Sequence, residues 1–229
     1  MASSPSRSAS TETRQRLLEA AGEVFAKKGF RNTTIREVCR RAQANLAAVN
    51  YHFGDKERLY SAVLKYAYTR AREQYPLFAG ASADMPPAQR LRIFISDLLC
   101  SLFDEGMPAW HCKLMAQEMI EPTAALDDLV EGMIRPLSEK LGAIVRELLG
   151  AGAHDDRVRL CQISIIGQCV HHRNARPVIE RLFPHQKYGP EDIQALVDHV
   201  ARFSLSALKG LSREEDNCPA PTSGERCRP

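Results

Sequence analysis

Small and hydrogen-bonding side chains are concentrated between residues 33 and 56, in the segment TTIREVCRRAQANLAAVNYHFGDK. Threonine, asparagine, tyrosine, histidine and lysine can donate hydrogen bonds to phosphate oxygens, and an asparagine amide also matches the edge of an adenine. The apolar residues of the segment recur at helical spacing, which leaves the polar ones on other faces. This combination indicates a surface that binds the backbone and the bases of a nucleic acid.

Two short helices joined by a turn at Gln43 are predicted to position these side chains. Thr34 and Glu37 have the spacing of a capping box at the start of the first helix. Val49 and Phe53 are four residues apart in the second helix, so both point toward the core. The residues left facing outward or sideways are Leu46, Ala47, Ala48, Asn50 and Tyr51. This division predicts a helix-turn-helix whose second helix can enter the major groove of DNA.

At these residues the chain resembles the TetR family of transcription regulators, over about residues 12–66. The family markers are Gly29-Phe30 after the first helix, Thr33-Thr34 at the start of the second, the run 50–53 and Lys56. The resemblance implies a three-helix DNA-binding head, a connecting helix that swings to change the spacing of two heads, and a larger helical body.

Three residues depart from the family pattern. Gln43 and Ala47 stand where the family usually has glycine, and Asn50 stands where an aromatic residue is usual. We expect the turn to persist, with a negative φ angle at Gln43, but the base preference to differ.

Helix-turn-helix docking geometry assigns roles to the residues of this head. Side chains predicted to contact backbone phosphates are Thr34, Tyr51, His52 and Lys56. Side chains that could reach phosphates or base edges are Arg36 and Asn45. Residues predicted to contact bases are Leu46, Ala47 and Ala48, against thymine methyl groups, and Asn50, against an adenine. Two alternatives remain open: Thr34 could serve only as a cap, and Tyr51 could pack in the core.

The rest of the chain predicts an all-α fold. The 229 residues are 44% hydrophobic and only 7% aromatic, a composition with enough apolar residues for a sizeable core. Helices are predicted at 88–104, 109–120, 124–149 with Pro136 inside, 155–174 and 191–209. The predicted segments are a disordered leader (1–10), the helix-turn-helix domain (11–54), the connecting helix (55–78), a larger ligand-binding and dimerisation domain (79–211) and a disordered tail (212–229).

Positive charge is concentrated in the N-terminal quarter. Residues 1–60 carry 11 Lys and Arg against six Asp and Glu, whereas the whole chain has a net charge of only +3. Phosphate binding requires such an excess, although a solvated helix face would explain it equally well.

The helices at 155–174 and 191–209 carry more apolar surface than a monomer easily buries, so we expect a homodimer. Two recognition helices related by a twofold axis would then read a palindromic operator in double-stranded DNA. The alternative is that this apolar surface belongs to the core.

The segments 116–136 and 165–183 resemble the CecR branch of the same family. That resemblance implies a small-molecule effector of unknown identity and control of a transporter or detoxification gene. Candidate effector-binding residues are Trp110, Met115, Glu118, Met119, Met133, Arg173 and Arg176. The alternatives are core packing for the tryptophan and methionines, and ion pairing of Arg173 or Arg176 with Glu118 or Glu121, which we favour.

Catalytic and metal sites lack support in the sequence. Glu118 and Glu121 have no accompanying nucleophile, so we expect no enzyme. His171 and His172 are adjacent and point about 100° apart on a helix, which does not suit one metal ion. We therefore expect no cofactor, and a metal sensor, an enzyme or a helical scaffold without DNA binding remain as alternatives.

Seven cysteines without a CxxC motif indicate reduced thiols rather than a disulfide framework. No stretch approaches the length of a membrane span, and the Ser-rich N-terminus lacks the apolar core of a signal peptide. We expect a cytoplasmic protein with no membrane partner.

Overall fold

A computed structural model describes residues 5–104, 106 and 108–217, and confirms the all-α fold class. The first four helices are α1 (Pro5–Asn32), α2 (Ile35–Ala42), α3 (Leu46–His52) and α4 (Lys56–Gln74). They are followed by α5 (Pro87–Phe103), α6 (Ala109–Ile120) and α7 (Ala125–Leu129). A π-helical turn at Val130–Ile134 leads into α8 (Arg135–Leu149), and α9 (Asp155–Asn174), α10 (Arg176–Leu182) and α11 (Pro190–Asn217) complete the described chain.

The chain forms two compact units. The first unit consists of residues up to Pro76 together with Asp104–Pro136, and the second of Leu77–Phe103 together with residues from Leu137 onward. The predicted head and connecting helix thus share a unit with α6 and α7, which the sequence places in the segment 79–211. The predicted division into a DNA-binding segment (11–54), a connecting helix (55–78) and an effector-binding segment (79–211) stays a prediction.

The first unit is built on one apolar cluster that includes the predicted inward-facing residues Val49 and Phe53, together with Phe25 and Val38. Leu59, Val63 and Leu64 of α4 and Leu114 of α6 are part of the same cluster. The three helices of the head bury little apolar area on their own, since α2 and α3 are short. The head therefore shares its core with α4 and α6.

The second unit has a longer core formed by α5, α8, α9 and α11. Leu91, Ile95 and Leu99 of α5 are fully buried. Their partners on the other helices include Leu141, Val145, Val158, Ile165, Val197 and Val200.

The first and last helices are longer than predicted. α1 begins at Pro5 rather than at Thr11, and α11 continues to Asn217 rather than ending at Lys209. Residues 5–10 and 212–217, predicted as parts of the disordered leader and tail, therefore have a helical backbone. Once a helix exists, each added residue gains a hydrogen bond, and no internal proline stops either extension. Residues 1–4 and 218–229 of the predicted leader and tail lie outside the described residues.

Glycine and proline interrupt helices where the sequence predicts it. Gly29 has φ 77° and ψ 165°, which breaks the helical path of α1 just before Phe30. Pro136 lies in the first turn of α8, directly after the π-helical turn, where its missing N–H is tolerated. None of the described helices is long and apolar enough to cross a lipid bilayer.

Candidate nucleic-acid interface

The start of α2 is fixed by the predicted cap. The Glu37 amide donates to Thr34 Oγ1 at 3.3 Å. The Glu37 carboxylate, however, lies 2.7 Å from Lys28 Nζ. Because Lys28 at the end of α1 reaches this carboxylate, an ion pair replaces the reciprocal half of the predicted capping box. Thr34 itself is exposed, so its hydroxyl is accessible to a phosphate.

The turn between α2 and α3 differs from the prediction in one backbone angle. Gln43 has φ 50° and ψ 44°, so the expected negative φ at this position is wrong. The Ala44 amide donates to the Cys39 carbonyl at 2.9 Å, and the Gln43 amide donates to the Arg40 carbonyl at 3.4 Å. Closing a helix end in this way requires a left-handed residue, which explains why glycine is usual here.

The recognition helix α3 has the predicted inner and outer faces. Asn45 Oδ1 accepts a hydrogen bond from the Ala48 amide at 2.8 Å and fixes the helix start. Val49 is 1% exposed and Phe53 is 7% exposed, so both hold the helix against the core. The exposed residues are Leu46, Ala47, Asn50 and Tyr51, whereas Ala48 is half-buried. Tyr51 is 78% exposed, which rules out the core-packing alternative for it.

Two polar side chains, at the end of α3 and at the start of α4, are held by contacts within the head. His52 is half-buried and packs edge-on against Tyr51, with ring centroids 4.9 Å apart. Lys56 Nζ donates to the Arg31 carbonyl at 3.3 Å and lies 4.5 Å from the centroid of the Phe30 ring. These contacts place the Lys56 ammonium at the start of α4, where it retains further donors for a phosphate.

Arg14 is a cation near the recognition helix that sequence reasoning missed. Its guanidinium lies 5.3 Å from the centroid of the Phe53 ring at the end of α3. Arg14 and Phe53 are far apart in sequence, and neither belongs to a motif that would pair them.

Comparison with known families agrees with this geometry. The family model of bacterial regulatory proteins of the tetR family matches residues 17–63. The model of the C-terminal domain of the HTH-type transcriptional dual regulator CecR matches residues 87–208, more than half of the chain. The chain belongs to the TetR family of transcriptional regulators. Both predicted resemblances, to the family and to its CecR branch, are confirmed.

Two relatives match this TetR-family chain over most of their length. The HTH-type transcriptional dual regulator CecR of Shigella flexneri is 28% identical over 210 residues, which cover 88% of this chain and 94% of the relative. The HTH-type transcriptional repressor NicS of Pseudomonas putida is 25% identical over 214 residues, covering 88% and 93%. These relatives are regulators rather than enzymes, in agreement with the prediction.

Solved structures of TetR regulators share the fold. A TetR-like regulator from Rhodococcus sp. RHA1 has a TM-score of 0.60 at 17% identity and covers 86% of this chain and 96% of its own. AibR, crystallised with isovaleryl coenzyme A and operator DNA, has a TM-score of 0.60 at 14% identity and covers 83% and 97%.

Glu118, a candidate effector ligand of this TetR-family regulator, has both oxygens engaged within the first unit. Its carboxylate is fully buried, and it accepts hydrogen bonds from the Tyr60 hydroxyl at 2.6 Å, the Thr123 amide at 2.7 Å and the Thr123 hydroxyl at 2.9 Å. Burial, reinforced by the hydrogen bond to Glu118, raises the pKa of the Tyr60 phenol. Glu118 thus links α4 to the junction of α6 and α7.

The apolar effector candidates lie in different environments. A Cβ atom at Gly22 would lie 2.3 to 2.6 Å from three atoms of the Trp110 indole, so Trp110 packs directly on the backbone of α1. Met115 packs against the same core, Met133 is half-buried and Met119 is 57% exposed. For Trp110 and Met115 these contacts favour core packing over a ligand pocket.

Arg176 forms the expected internal ion pair, but with a different acid. Its Nε lies 2.7 Å from Glu180 Oε1, where the sequence suggested Glu118 or Glu121. Its guanidinium also lies 5.1 Å from the centroid of the Tyr188 ring. Helical i,i+4 spacing explains the choice, since Glu180 is one turn away. Arg173 is half-buried.

The two adjacent histidines of α9 lie in different environments. His171 is exposed and His172 is half-buried, as expected for neighbours on a helix. Burial, together with the nearby His171 and His199, lowers the pKa of His172. Within the described part of the chain, no three His, Cys, Asp or Glu side chains are placed to hold a metal ion.

Proposed function

We propose that this TetR-family regulator is a repressor that binds a palindromic operator as a homodimer and dissociates from it when a small-molecule effector binds. The observation that carries the DNA-binding part is the surface of α3. Ala47, Asn50 and Tyr51 face solvent on a helix that Val49 and Phe53 hold rigidly against the core. A capped, anchored helix with a small outer face suits the major groove.

The proposed contacts divide into positioning and reading. Phosphates are bound by Thr34, Tyr51, His52 and Lys56, with Arg36 and Asn45 reaching phosphates or base edges. Bases are contacted by Leu46, Ala47, Ala48 and Asn50. The cap engages Asn45 Oδ1 as an acceptor, and the amide nitrogen supplies the donors for DNA.

The homodimer is supported by large apolar side chains exposed on the second unit. Leu160 is 57% exposed, Ile163 58% and Phe203 58%, on α9 and α11. Apolar residues exposed together on a protein surface commonly mark an interface. A twofold axis through such an interface would present two identical recognition helices to the two halves of a palindrome.

Repression and effector response are supported by the relatives. NicS is named a repressor, and AibR was crystallised with both isovaleryl coenzyme A and operator DNA. Of the predicted effector contacts, Met119 and Met133 of the first unit stay candidates, because methionine adapts to varied ligands. Arg173 stays a separate candidate on the second unit. The charges of Glu118 and Arg176 serve the fold first. The regulated genes would encode efflux or detoxification proteins, and the regulator would act on DNA in the cytoplasm.

A mobility-shift titration with DNA from upstream of its own gene tests this function. Asn50→Ala should weaken binding to the operator about 5- to 100-fold and leave binding to scrambled DNA unchanged, because it removes one base contact. Equal affinity of the unmodified protein for operator and scrambled DNA would exclude specific regulation.

Lys56→Ala is the matched variant for backbone contact. It should weaken binding to every DNA sequence and lower the slope of log K against log salt by about one. An unchanged slope would remove Lys56 from the phosphate contacts without affecting the assignment of Asn50.

A further inference from the structure

A groove of about 690 Å³ opens between α1, α2 and α6 of the first unit. Volumes of this size are typical of sites for small molecules. None of the residues proposed to contact DNA lines it. The groove is therefore a separate feature from the outer face of α3.

Positive charge exceeds negative charge along this groove. Two of its cations are neutralised in place, since Lys28 pairs with Glu37 at 2.7 Å and Arg41 pairs with Glu23. These pairs also join α1 to α2 and hold the two walls together.

Three further cations line the groove, namely Lys27 of α1, Arg40 of α2 and Lys113 of α6. Within the described residues, none of the three forms an ion pair. All three are exposed to solvent, so they can change rotamer to meet a ligand. Three helices thus each direct one uncompensated cation at the same space.

One wall of the groove is apolar. Val24, Ala26, Ala109 and Trp110 contribute to it. The Trp110 indole is held in place because it packs on the backbone at Gly22. A rigid indole beside three cations suits a molecule that is anionic at one end and apolar or planar at the other.

We propose that this groove binds a small phosphate compound, with the phosphate held by Lys27, Arg40 and Lys113 and the remainder against Trp110. Phosphate matches three cations better than a single carboxylate does, because it carries more charge and more acceptor oxygens. The same chemistry occurs in the DNA backbone, so a groove variant that loses affinity for DNA alone would point to that source instead. The proposal does not depend on the function assigned to α3.

Trp110 is the only tryptophan of the chain, so its fluorescence reports on the groove directly. The full-length protein is titrated with adenosine diphosphate, and with adenosine as the uncharged counterpart, at constant ionic strength. We expect a saturable change with the diphosphate, with a Kd of about 1 mM or lower, and no saturation with adenosine. Calorimetry of the same titration detects binding that leaves the indole emission unchanged.

The triple variant Lys27→Gln, Arg40→Gln, Lys113→Gln should bind the diphosphate at least about tenfold more weakly. The control Lys140→Gln, Lys187→Gln, Arg213→Gln removes the same net charge from exposed sites elsewhere and should bind as the unmodified protein does. The proposal is overturned if neither method shows saturable binding, if both triple variants weaken equally, or if the groove variant loses affinity only for DNA.

Discussion

The two compact units differ in what they bury and in what they expose. The buried polar side chains of the first unit include Thr33, His111 and Glu118. In the described part of the second unit, the buried polar side chain is Ser204. The second unit has an apolar core and exposes large apolar side chains on α9, α10 and α11, among them Leu160 and Phe203, whereas those of the first unit lie on α3 and α6.

Buried polar side chains and exposed apolar side chains therefore contribute differently to the two units. Buried hydrogen bonds such as those of Glu118 have strict geometry, so they fix how α4 sits against α6 and α7. Contacts between apolar side chains tolerate more adjustment. Exposed apolar side chains stabilise the protein only when a partner covers them. The first unit is suited to positioning a reading surface, and the second to association.

The largest effect is expected from removing the buried carboxylate of the first unit. Glu118→Ala should lower the free energy of unfolding by about 2–4 kcal/mol, because it leaves the Tyr60 and Thr123 donors without an acceptor. Urea denaturation measures this loss. Ser204→Ala in the second unit should cost about 1 kcal/mol or less. Equal losses from both variants would erase the contrast between the units.

Next in size is the effect of a charge on the exposed apolar face of the second unit. Phe203→Glu should weaken the proposed homodimer about 100-fold, since a carboxylate would be desolvated in the interface. Sedimentation equilibrium gives the dissociation constant. Ile120→Glu is the matched control, because Ile120 is 79% exposed on α6 of the first unit. If Ile120→Glu dissociates the dimer and Phe203→Glu does not, the interface lies on the first unit.

A smaller effect, a gain in stability, is expected at the turn between α2 and α3. Gln43→Gly should raise the free energy of unfolding by about 0.5–1 kcal/mol, because glycine adopts the left-handed conformation of this residue, φ 50°, without steric cost. Thermal denaturation measures the shift. Ala44→Gly next to it should instead destabilise the protein. A loss of stability in Gln43→Gly would show that the Gln43 side chain has a structural role of its own.

The smallest effect concerns pH. Burial, and then the nearby Arg70, lower the pKa of His111 below its ordinary value of 6.5, with Glu19 opposing them. His111 of the unfolded chain therefore binds a proton near pH 6.5, whereas His111 of the folded chain does so only at lower pH. The stability that comes from keeping His111 neutral is complete above pH 6.5 and is lost as the pH falls below it. Between pH 8 and pH 5, the free energy of unfolding should decrease less for His111→Phe than for the unmodified protein. The exposed His185→Phe is the control, and an unchanged pH dependence in His111→Phe would assign the slope to other groups.

Helix boundaries with local signals could be predicted closely from the sequence. α6 has the predicted limits 109–120 and α9 the predicted limits 155–174. Prolines and acidic residues at these ends act within a few residues along the chain. The outer ends of α1 and α11 were misjudged because Ser-rich and charged sequences are compatible with both helix and disorder.

The candidate interface was predictable where it depends on helical spacing. Val49 and Phe53 identify the inner face of α3, and the outer face follows from them. The cation Arg14 beside Phe53 was missed, because no spacing rule connects α1 to the end of α3. The groove was also missed, since its cations come from three helices.

Local sequence accounts for the caps at Thr34, Asn45 and Asp55, because a capping side chain and its amide are three residues apart. The partners of Glu118 and Trp110, in contrast, follow from the packing of helices. Tyr60 and Glu118 are 58 residues apart in the chain, and their hydrogen bond exists only because α4 packs against α6. Contacts of that kind depend on how whole helices pack, and a local sequence pattern does not identify a partner far away in the chain.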